Sequence, residues 1–167
     1  MSIENYKPDF LLTAAYRLNA ESLKRHGIRA VLVDLDNTLT AWNNPDGTPE
    51  MRSWLAEMKA TNIKVIVVSN NNHDRVKRAV ERFDVPFVSR AMKPFDMGIK
   101  KALAVLGEKP EDAVMVGDQL MTDIRAAKRA GVRSVLVQPL VTSDAWNTKF
   151  NRARERRVWR KLIEKYG

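Results

Sequence analysis

Residues 30–39 read AVLVDLDNTL, a short apolar run that leads directly into two aspartates separated by one residue. An aliphatic run without polar alternation is typical of a strand buried on both faces of a parallel sheet. Further runs of this kind lie at residues 65–68, 86–88, 113–116 and 134–137. Helical segments separate the runs, so the sequence predicts a doubly wound, three-layer α/β domain with a five-stranded, mainly parallel sheet.

Helix signals lie between these predicted strands. Thr48 has the residue type of an N-cap, and Pro49 suits the first position of a helix that we expect to stop near Asn62. Gly107 and Gly131 follow two later helical patterns and suit left-handed C-caps. The remaining helices are predicted over residues 73–83, 95–106 and 122–130.

Composition excludes several classes of protein. The chain has 167 residues, 44% of them hydrophobic, and no cysteine, so it suits one globular domain without disulfide or thiol chemistry. No apolar run approaches the ~20 residues of a membrane-spanning helix. The first residues lack the pattern of a secretory signal, and we therefore expect a cytoplasmic protein. The predicted domain covers residues 1–148 and includes a short N-terminal helical segment.

The net charge of +9 is concentrated at the C-terminus. Residues 149–167 contain eight basic and two acidic residues, which gives 8 − 2 = +6. On a helix, Val158, Leu162 and Tyr166 share one apolar stripe, and the pattern predicts a basic amphipathic helix that contacts an anionic membrane from the cytoplasmic side. Binding to RNA and docking on the domain itself are the alternatives that this pattern leaves open.

Acidic residues follow two of the predicted strands. Asp34 and Asp36 extend the first strand on one side, and Asp118 follows the fourth. If these strands are neighbours, the carboxylates flank the topological switch point, where open α/β sheets bind ligands. Converging carboxylates need a cation, and Mg²⁺ suits hard oxygen ligands. An acidic turn, with Asp123 as a helix cap, is the alternative.

Polar and basic residues follow the other strands. Ser69 and Asn70 come directly after the second strand and supply a hydroxyl and an amide at a position where a phosphate could lie. Lys93 precedes Pro94 and a predicted helix, and it can offer a point charge to a phosphate. A capping serine and a solvated lysine are the alternatives for these two residues.

The order of these features resembles the four motifs of the haloacid dehalogenase (HAD) superfamily. They are DLDNTL, a strand that ends in Ser69, Lys93-Pro94 and GDQLMTD, and the resemblance covers roughly residues 28–138. It implies a Rossmann-like phosphatase in which Asp34 is the covalent nucleophile and Asp36 the general acid and base.

The resemblance also implies the ligand sets. Asp34, Asp118 and the Asp36 backbone carbonyl would bind Mg²⁺, and Asp123 would act on it indirectly, either through water or by orienting the direct ligands. Ser69 and Lys93, with Asn70 beside them, would bind the phosphoryl oxygens.

Two short intervals indicate that the domain lacks a cap. Residues 39–64 and 71–92 have room only for a loop and one helix each. The capless body, the residues KPDF at 7–10 and the basic tail resemble the YqeG family, which is similar to mitochondrial phosphatidylglycerophosphate phosphatases. This implies a phospholipid substrate, with Trp42 either touching it or packing. Phosphatases of nucleic-acid ends or phosphoproteins, and a non-catalytic RNA-binding module, are the alternatives.

Overall fold

A computed structural model describes residues 3–41 and 43–140 of the chain. The predicted basic helix over residues 149–167 and Trp42 lie outside the described residues, and their predicted roles stay predictions.

The described strands form one parallel sheet in the order β1-β6-β5-β2-β3-β4. Their continuous β-branched runs suit a sheet that is covered on both faces. The bounds are β1 Phe10–Leu12, β2 Ala30–Val33, β3 Lys64–Val68, β4 Phe87–Val88, β5 Ala113–Gly117 and β6 Arg133–Val137.

Five α-helices of the described chain connect these strands, with bounds α1 Ala20–Arg25, α2 Pro49–Ala60, α3 His73–Val80, α4 Met97–Leu106 and α5 Arg125–Ala130. The Thr48 hydroxyl caps α2 by accepting from the Met51 N–H at 3.2 Å, as the sequence predicted. Gly107 and Gly131 end α4 and α5 in the left-handed conformation. Within the described residues, 3–41 and 43–140, no helix is both long and apolar enough to span a membrane.

Alternate residues of each strand build two separate cores. In β2, Val31 and Val33 face α1, α2 and α3, and they pack with Trp54 and Met58. Ala30 and Leu32 face α4 and α5 on the other side of the sheet. This two-sided burial confirms the three-layer α/β architecture and fixes which ends of the strands are accessible.

The sheet has six strands, so the predicted number of five was wrong. The additional strand, β1, has three residues and pairs in parallel with β6, with Phe10 opposite Val135. It was missed because it is a short edge strand: Phe10 is 37% and Leu11 60% exposed, and its run is too brief for a buried-strand pattern. Asp9 fixes its start, since its carboxylate accepts the Ser134 N–H at 2.8 Å.

Candidate active site

Three central strands deliver the polar residues to one edge of the sheet. β2 lies between β5 and β3, and Val33 pairs with Val116 on one side and Val67 on the other. Because parallel strands end at the same edge, Asp34, Asp118 and Ser69 meet there. The structure therefore meets the condition that the sequence left open, since β2 and β5 are neighbours, and it places these residues at a topological switch point.

Lys93 is the centre of the site. Its ammonium donates to Asp34 Oδ1 at 2.8 Å, to Asp123 Oδ1 at 2.7 Å and to the Val68 carbonyl at 2.9 Å. Its side chain is only 3% exposed, and those of Asp34 and Asp123 are 12% and 1% exposed. The ion pairs are therefore shielded from water, and each charge depends on its partners.

A third carboxylate completes an acidic cluster. Oxygens of Asp34, Asp118 and Asp123 lie within 4.8 Å of one another. Thr38, which is buried, donates its hydroxyl hydrogen to Asp118 Oδ1 at 3.4 Å. With all three carboxylates ionised, three negative charges and the Lys93 ammonium leave a net charge of −2 in a buried space. Hard carboxylate oxygens and a −2 charge fit a divalent cation such as Mg²⁺.

Burial raises the pKa of Asp34 well above its ordinary value, and the carboxylate of Asp123 raises it further. The ammonium of Lys93 opposes both effects without cancelling them. Burial alone would lower the pKa of Lys93, but Asp123 and Asp34 outweigh it, so this pKa lies above its ordinary value. The cluster therefore favours the charged form of Lys93, and added positive charge would favour the ionised form of Asp34.

The backbone around Asp123 explains the glycine of the GDQLMTD motif. Asp123 lies on a π-helical turn, Leu120–Ile124, that precedes α5 and directs its carboxylate back toward β5. A Cβ atom on Gly117 would lie 2.2 Å from Asp123 Oδ2, so only glycine fits at this position. The Gln119 N–H donates to the same oxygen at 3.2 Å. The predicted indirect role of Asp123 stays a prediction, but its direct contact with Lys93 was not foreseen.

Asn70 fixes the backbone of Lys93. Its Nδ2 donates to the Lys93 carbonyl at 2.9 Å, and its Oδ1 accepts the Lys93 N–H at 2.8 Å. The neighbouring Ser69 is buried, and its hydroxyl accepts the Asn71 N–H at 3.1 Å. The predicted phosphate contacts of Ser69 and Asn70 stay predictions. The geometry adds that Asn70 holds the turn that carries Lys93.

Asp36 lies at the mouth of the site, outside the acidic cluster. Its carboxylate accepts hydrogen bonds from Asn71 Nδ2 and, at 3.0 Å, from Arg75 Nη2. Its side chain is 46% exposed, in contrast to the buried Asp34. An exposed carboxyl beside the crevice can exchange protons with water and substrate, which suits the predicted acid and base role. That role and the metal contact of the Asp36 carbonyl stay predictions.

Sequence reasoning missed Arg75 and Thr38, and it did not foresee that the Asn71 amide contacts Asp36. Arg75 lies in the first turn of α3, where its N–H is capped by Asn72 Oδ1 at 2.9 Å. The start of a helix that follows a strand end lies at the ligand-binding edge, so its position was a usable signal. Nothing in the sequence indicated that the Thr38 hydroxyl would contact Asp118, which lies 80 residues further along the chain.

A parallel sheet with three carboxylates and a buried lysine at its carboxyl edge is suited to hold a phosphate ester together with a metal ion. Comparison with known proteins identifies its family. The model of the haloacid dehalogenase-like hydrolases matches residues 3–131, and the chain belongs to this family.

Similar proteins show that this hydrolase is more specifically a phosphatase. The chain is 39% identical over 160 residues to the probable phosphatase YqeG of Bacillus subtilis, covering 96% of this chain and 93% of that protein. It is 31% identical over 129 residues to the chloroplastic/mitochondrial phosphatidylglycerophosphate phosphatase 1 of Arabidopsis thaliana, covering 72% of this chain and 37% of that protein. This chain is therefore a phosphatase of the HAD superfamily.

A solved structure supports the fold independently. The cobalt-bound deoxy-D-mannose-octulosonate 8-phosphate phosphatase of Haemophilus influenzae superposes with a TM-score of 0.52 at 17% identity, covering 70% of this chain and 81% of that chain. At this identity the likeness shows the fold alone.

Proposed function

We propose that the chain is a Mg²⁺-dependent phosphatase that forms an aspartyl-phosphate on Asp34 and removes the terminal phosphate of phosphatidylglycerophosphate. The observation that carries the proposal is the buried cluster in which Lys93 contacts Asp34 and Asp123 while Asp118 lies beside them. This cluster is at the ligand-binding edge of the sheet, and it retains negative charge that a bound cation would balance.

The carboxylates divide into a nucleophile and metal ligands. Asp34, Asp118 and the Asp36 backbone carbonyl would hold Mg²⁺, with Asp123 as a further carboxylate next to them. Bound there, Mg²⁺ would supply positive charge against the phosphoryl oxygens and against the Asp34 carboxylate. Because burial and Asp123 raise the pKa of Asp34, that charge would also favour the ionised form of the nucleophile.

The protein side chains account for both chemical steps. An Asp34 oxygen attacks phosphorus and forms the new O–P bond while the bond to the leaving oxygen breaks, and Asp36 gives its proton to that oxygen. In the second step Asp36 takes a proton from a water molecule, which attacks phosphorus and releases Asp34. Lys93, held in place by Asn70, faces the phosphoryl oxygens together with Ser69.

The open crevice supports a substrate whose phosphate belongs to something large. Within the described residues, the interval from Leu39 to Lys64 contains α2 as its only helix, and Asn71–Met92 adds α3 and the two-residue β4. No cap domain is inserted. A lipid headgroup at a membrane can therefore approach the carboxyl edge directly, and similarity to the Arabidopsis enzyme favours phosphatidylglycerophosphate. We further propose that the basic tail over residues 149–167 attracts the anionic surface, so the enzyme works peripherally at the cytoplasmic face of the membrane.

Phosphate release by the full chain tests this proposal. The substrates are vesicle-borne phosphatidylglycerophosphate, a sugar phosphate, a nucleotide, a phosphorylated oligonucleotide end and a phosphopeptide, each with Mg²⁺ and with EDTA. We expect the highest kcat/KM on the lipid, loss of activity in EDTA and recovery with Mg²⁺. Asp36→Asn should reduce kcat by ~10²-fold or more with a poor leaving group.

Each part of the proposal has its own contrary outcome. A higher kcat/KM on the oligonucleotide or the phosphopeptide would reassign the substrate and leave the mechanism intact. Full activity in metal-free protein would contradict the role of Mg²⁺. Unchanged turnover by Asp36→Asn would remove the acid and base role from Asp36.

A further inference from the structure

Three exposed apolar side chains lie next to the lysine of the active site. Met92 is 53%, Phe95 53% and Met97 57% exposed, and we call them the 92–97 surface. They are half of the strongly exposed large hydrophobic residues in the described part of the chain; the others are Phe10, Leu11 and Val105. Since exposed apolar side chains normally occur singly, three within six residues indicate a surface with a partner.

The backbone holds this surface in place on the rim of the crevice. A turn closes through the Phe95 N–H, which donates to the Met92 carbonyl at 2.8 Å. Between them Lys93 directs its side chain inward to Asp34, while Met92 and Phe95 remain exposed. Gly98 packs against Ala91 so closely that a Cβ atom would lie 2.4 Å from the alanine side chain. The turn is thus held against Ala91, and its apolar side chains are exposed while the lysine between them reaches the site.

The charges around the surface are mostly positive. The Arg129 guanidinium lies over the Phe95 ring at 5.2 Å, and Arg90 and Lys101 are exposed. Asp96 is the single acid within residues 90–101, and Lys100 pairs with it at 3.0 Å. An apolar turn bordered by cations complements the interface of an anionic bilayer, where apolar groups enter the acyl boundary and cations contact headgroups.

The size of the surface argues against a second copy of the chain as its partner. Three half-exposed side chains of this size offer on the order of 300 Å² of accessible area. A stable protein interface buries about 800 Å² on each partner. A bilayer has no such requirement, because a few inserted side chains add to an electrostatic attraction.

We propose that the 92–97 surface docks the enzyme on an anionic bilayer and orients the crevice so that a phosphorylated lipid headgroup enters toward Lys93. This inference rests on the proposed lipid phosphatase function and deepens it. It makes the rim of the active site, separately from the basic tail, a determinant of access to lipid substrates.

The test places a negative charge on this surface without disturbing the fold. Met97 is the first residue of α4, where a glutamate is favourable to the helix dipole, so Met97→Glu should fold normally. Val105→Glu is the matched control, because it adds the same charge at a 56% exposed residue of the same helix, although in the last turn, where the helix dipole makes it somewhat less favourable. It lies eight residues further along, roughly 12 Å toward the opposite edge of the sheet.

Full-length wild type and both variants are compared by cosedimentation with vesicles of phosphatidylglycerol and phosphatidylcholine, and by phosphate release from vesicle-borne phosphatidylglycerophosphate and a soluble aryl phosphate. We expect Met97→Glu to reduce vesicle binding and lipid turnover by about fivefold or more. Hydrolysis of the aryl phosphate should stay within twofold of wild type, as should every property of Val105→Glu. The basic tail is common to all three proteins, so its contribution cancels in the ratios.

A second variant covers the case in which Met97→Glu folds poorly. Phe95→Ser removes apolar area without adding charge, and it should weaken vesicle binding in the same direction. Docking by this surface is overturned by wild-type binding in both variants, by equal losses in Met97→Glu and Val105→Glu, or by a dimer in ultracentrifugation that only the surface variants dissociate. Failure of wild type to hydrolyse any phosphomonoester would instead count against the proposed function, since vesicle binding is measured without turnover.

Discussion

Two ion clusters lie at opposite edges of the sheet, and their charge compositions are opposite. At the carboxyl edge, one cation, Lys93, contacts two carboxylates at 2.8 and 2.7 Å. At the amino edge, one carboxylate, Glu108, contacts Lys64 at 3.0 Å and Arg29 at 3.4 Å. Both clusters join segments that are distant in sequence. The members of the second cluster precede or begin their strands, since Arg29 lies just before β2 and Lys64 is the first residue of β3.

The two clusters differ in the solvent exposure of their side chains. The side chains of Lys64 and Arg29 are 48% and 69% exposed, so their excess positive charge is solvated and the cluster is stable by itself. The charges around Lys93 are almost fully buried, and a third carboxylate, Asp118, adds to them. Buried and unbalanced charge costs stability, and it persists where a ligand provides the balance. Function is therefore expected at the carboxyl edge and structure at the amino edge.

Asp34→Asn should have the largest effect and should separate activity from stability. The amide has nearly the shape of the carboxylate but is a poor nucleophile, so kcat should fall by at least ~10³-fold, on the scale of other nucleophile deletions. Thermal stability should respond in the opposite direction. Because burial and Asp123 disfavour the ionised carboxylate, the neutral side chain should keep or raise the Tm of the metal-free protein.

Phosphate release and thermal unfolding in EDTA check both parts of this prediction. Retained turnover would exclude a covalent role for Asp34. A clear drop in Tm without metal would mean that the cluster stabilises the fold, as the Glu108 cluster does, and the contrast between the two edges would disappear.

The sequence predicted those parts of the molecule that depend on local pattern. The runs of β2, β3, β5 and β6 are long and apolar enough to be found, but only the structure shows that β2 and β5 are neighbours and bring Asp34 next to Asp118. β1 was missed because an exposed three-residue edge strand has no such pattern.

The sequence did not predict which side chains of the site contact each other, because those contacts depend on side-chain direction. Asn70 follows Ser69 at a strand end, which located it correctly, but nothing local shows that its amide holds Lys93, 23 residues further along the chain. The contact of Arg75 with Asp36 joins residues that are 39 positions apart, and the hydrophobic periodicity of the sequence does not predict it either. Such contacts are set by tertiary packing alone.

Asn70→Ala should have an intermediate effect by releasing the turn that carries Lys93. Loss of two hydrogen bonds should lower stability by about 1–2 kcal/mol. Because the ammonium would no longer be held against Asp34, kcat should fall by about tenfold or more. Asn19→Ala is the control, since it removes the N-cap of α1 at a cost of about 1 kcal/mol on a helix that carries no residue of the site. Equal kcat in the two variants would contradict a positioning role for Asn70.

Glu108→Gln should have the smallest effect and should not change phosphate release. It removes a carboxylate whose own side chain is 6% exposed but whose two cationic partners reach water, and ion pairs with solvated partners contribute about 1 kcal/mol or less. For a chain of this length that corresponds to a drop in Tm of roughly 2–4 °C. Asp84→Asn is the control, because the pair of Asp84 with Lys59 is longer, at 3.9 Å, and fully solvated. It should change Tm by less than Glu108→Gln.

The pH dependence of the Tm difference between wild type and Glu108→Gln identifies the physical cause of that difference. The hydrogen bond from Lys64, reinforced by the charges of Lys64 and Arg29, holds the pKa of Glu108 below its ordinary value of 4.5. A depressed pKa means that the folded state binds the proton less tightly than the unfolded state, so the stabilisation is complete above 4.5 and is lost as the pH falls further. The Tm difference between wild type and Glu108→Gln should thus be constant from pH 8 to about pH 5.5 and shrink at more acidic pH. A difference that persists unchanged at pH 3 would assign it to packing of the side chain and not to its charge.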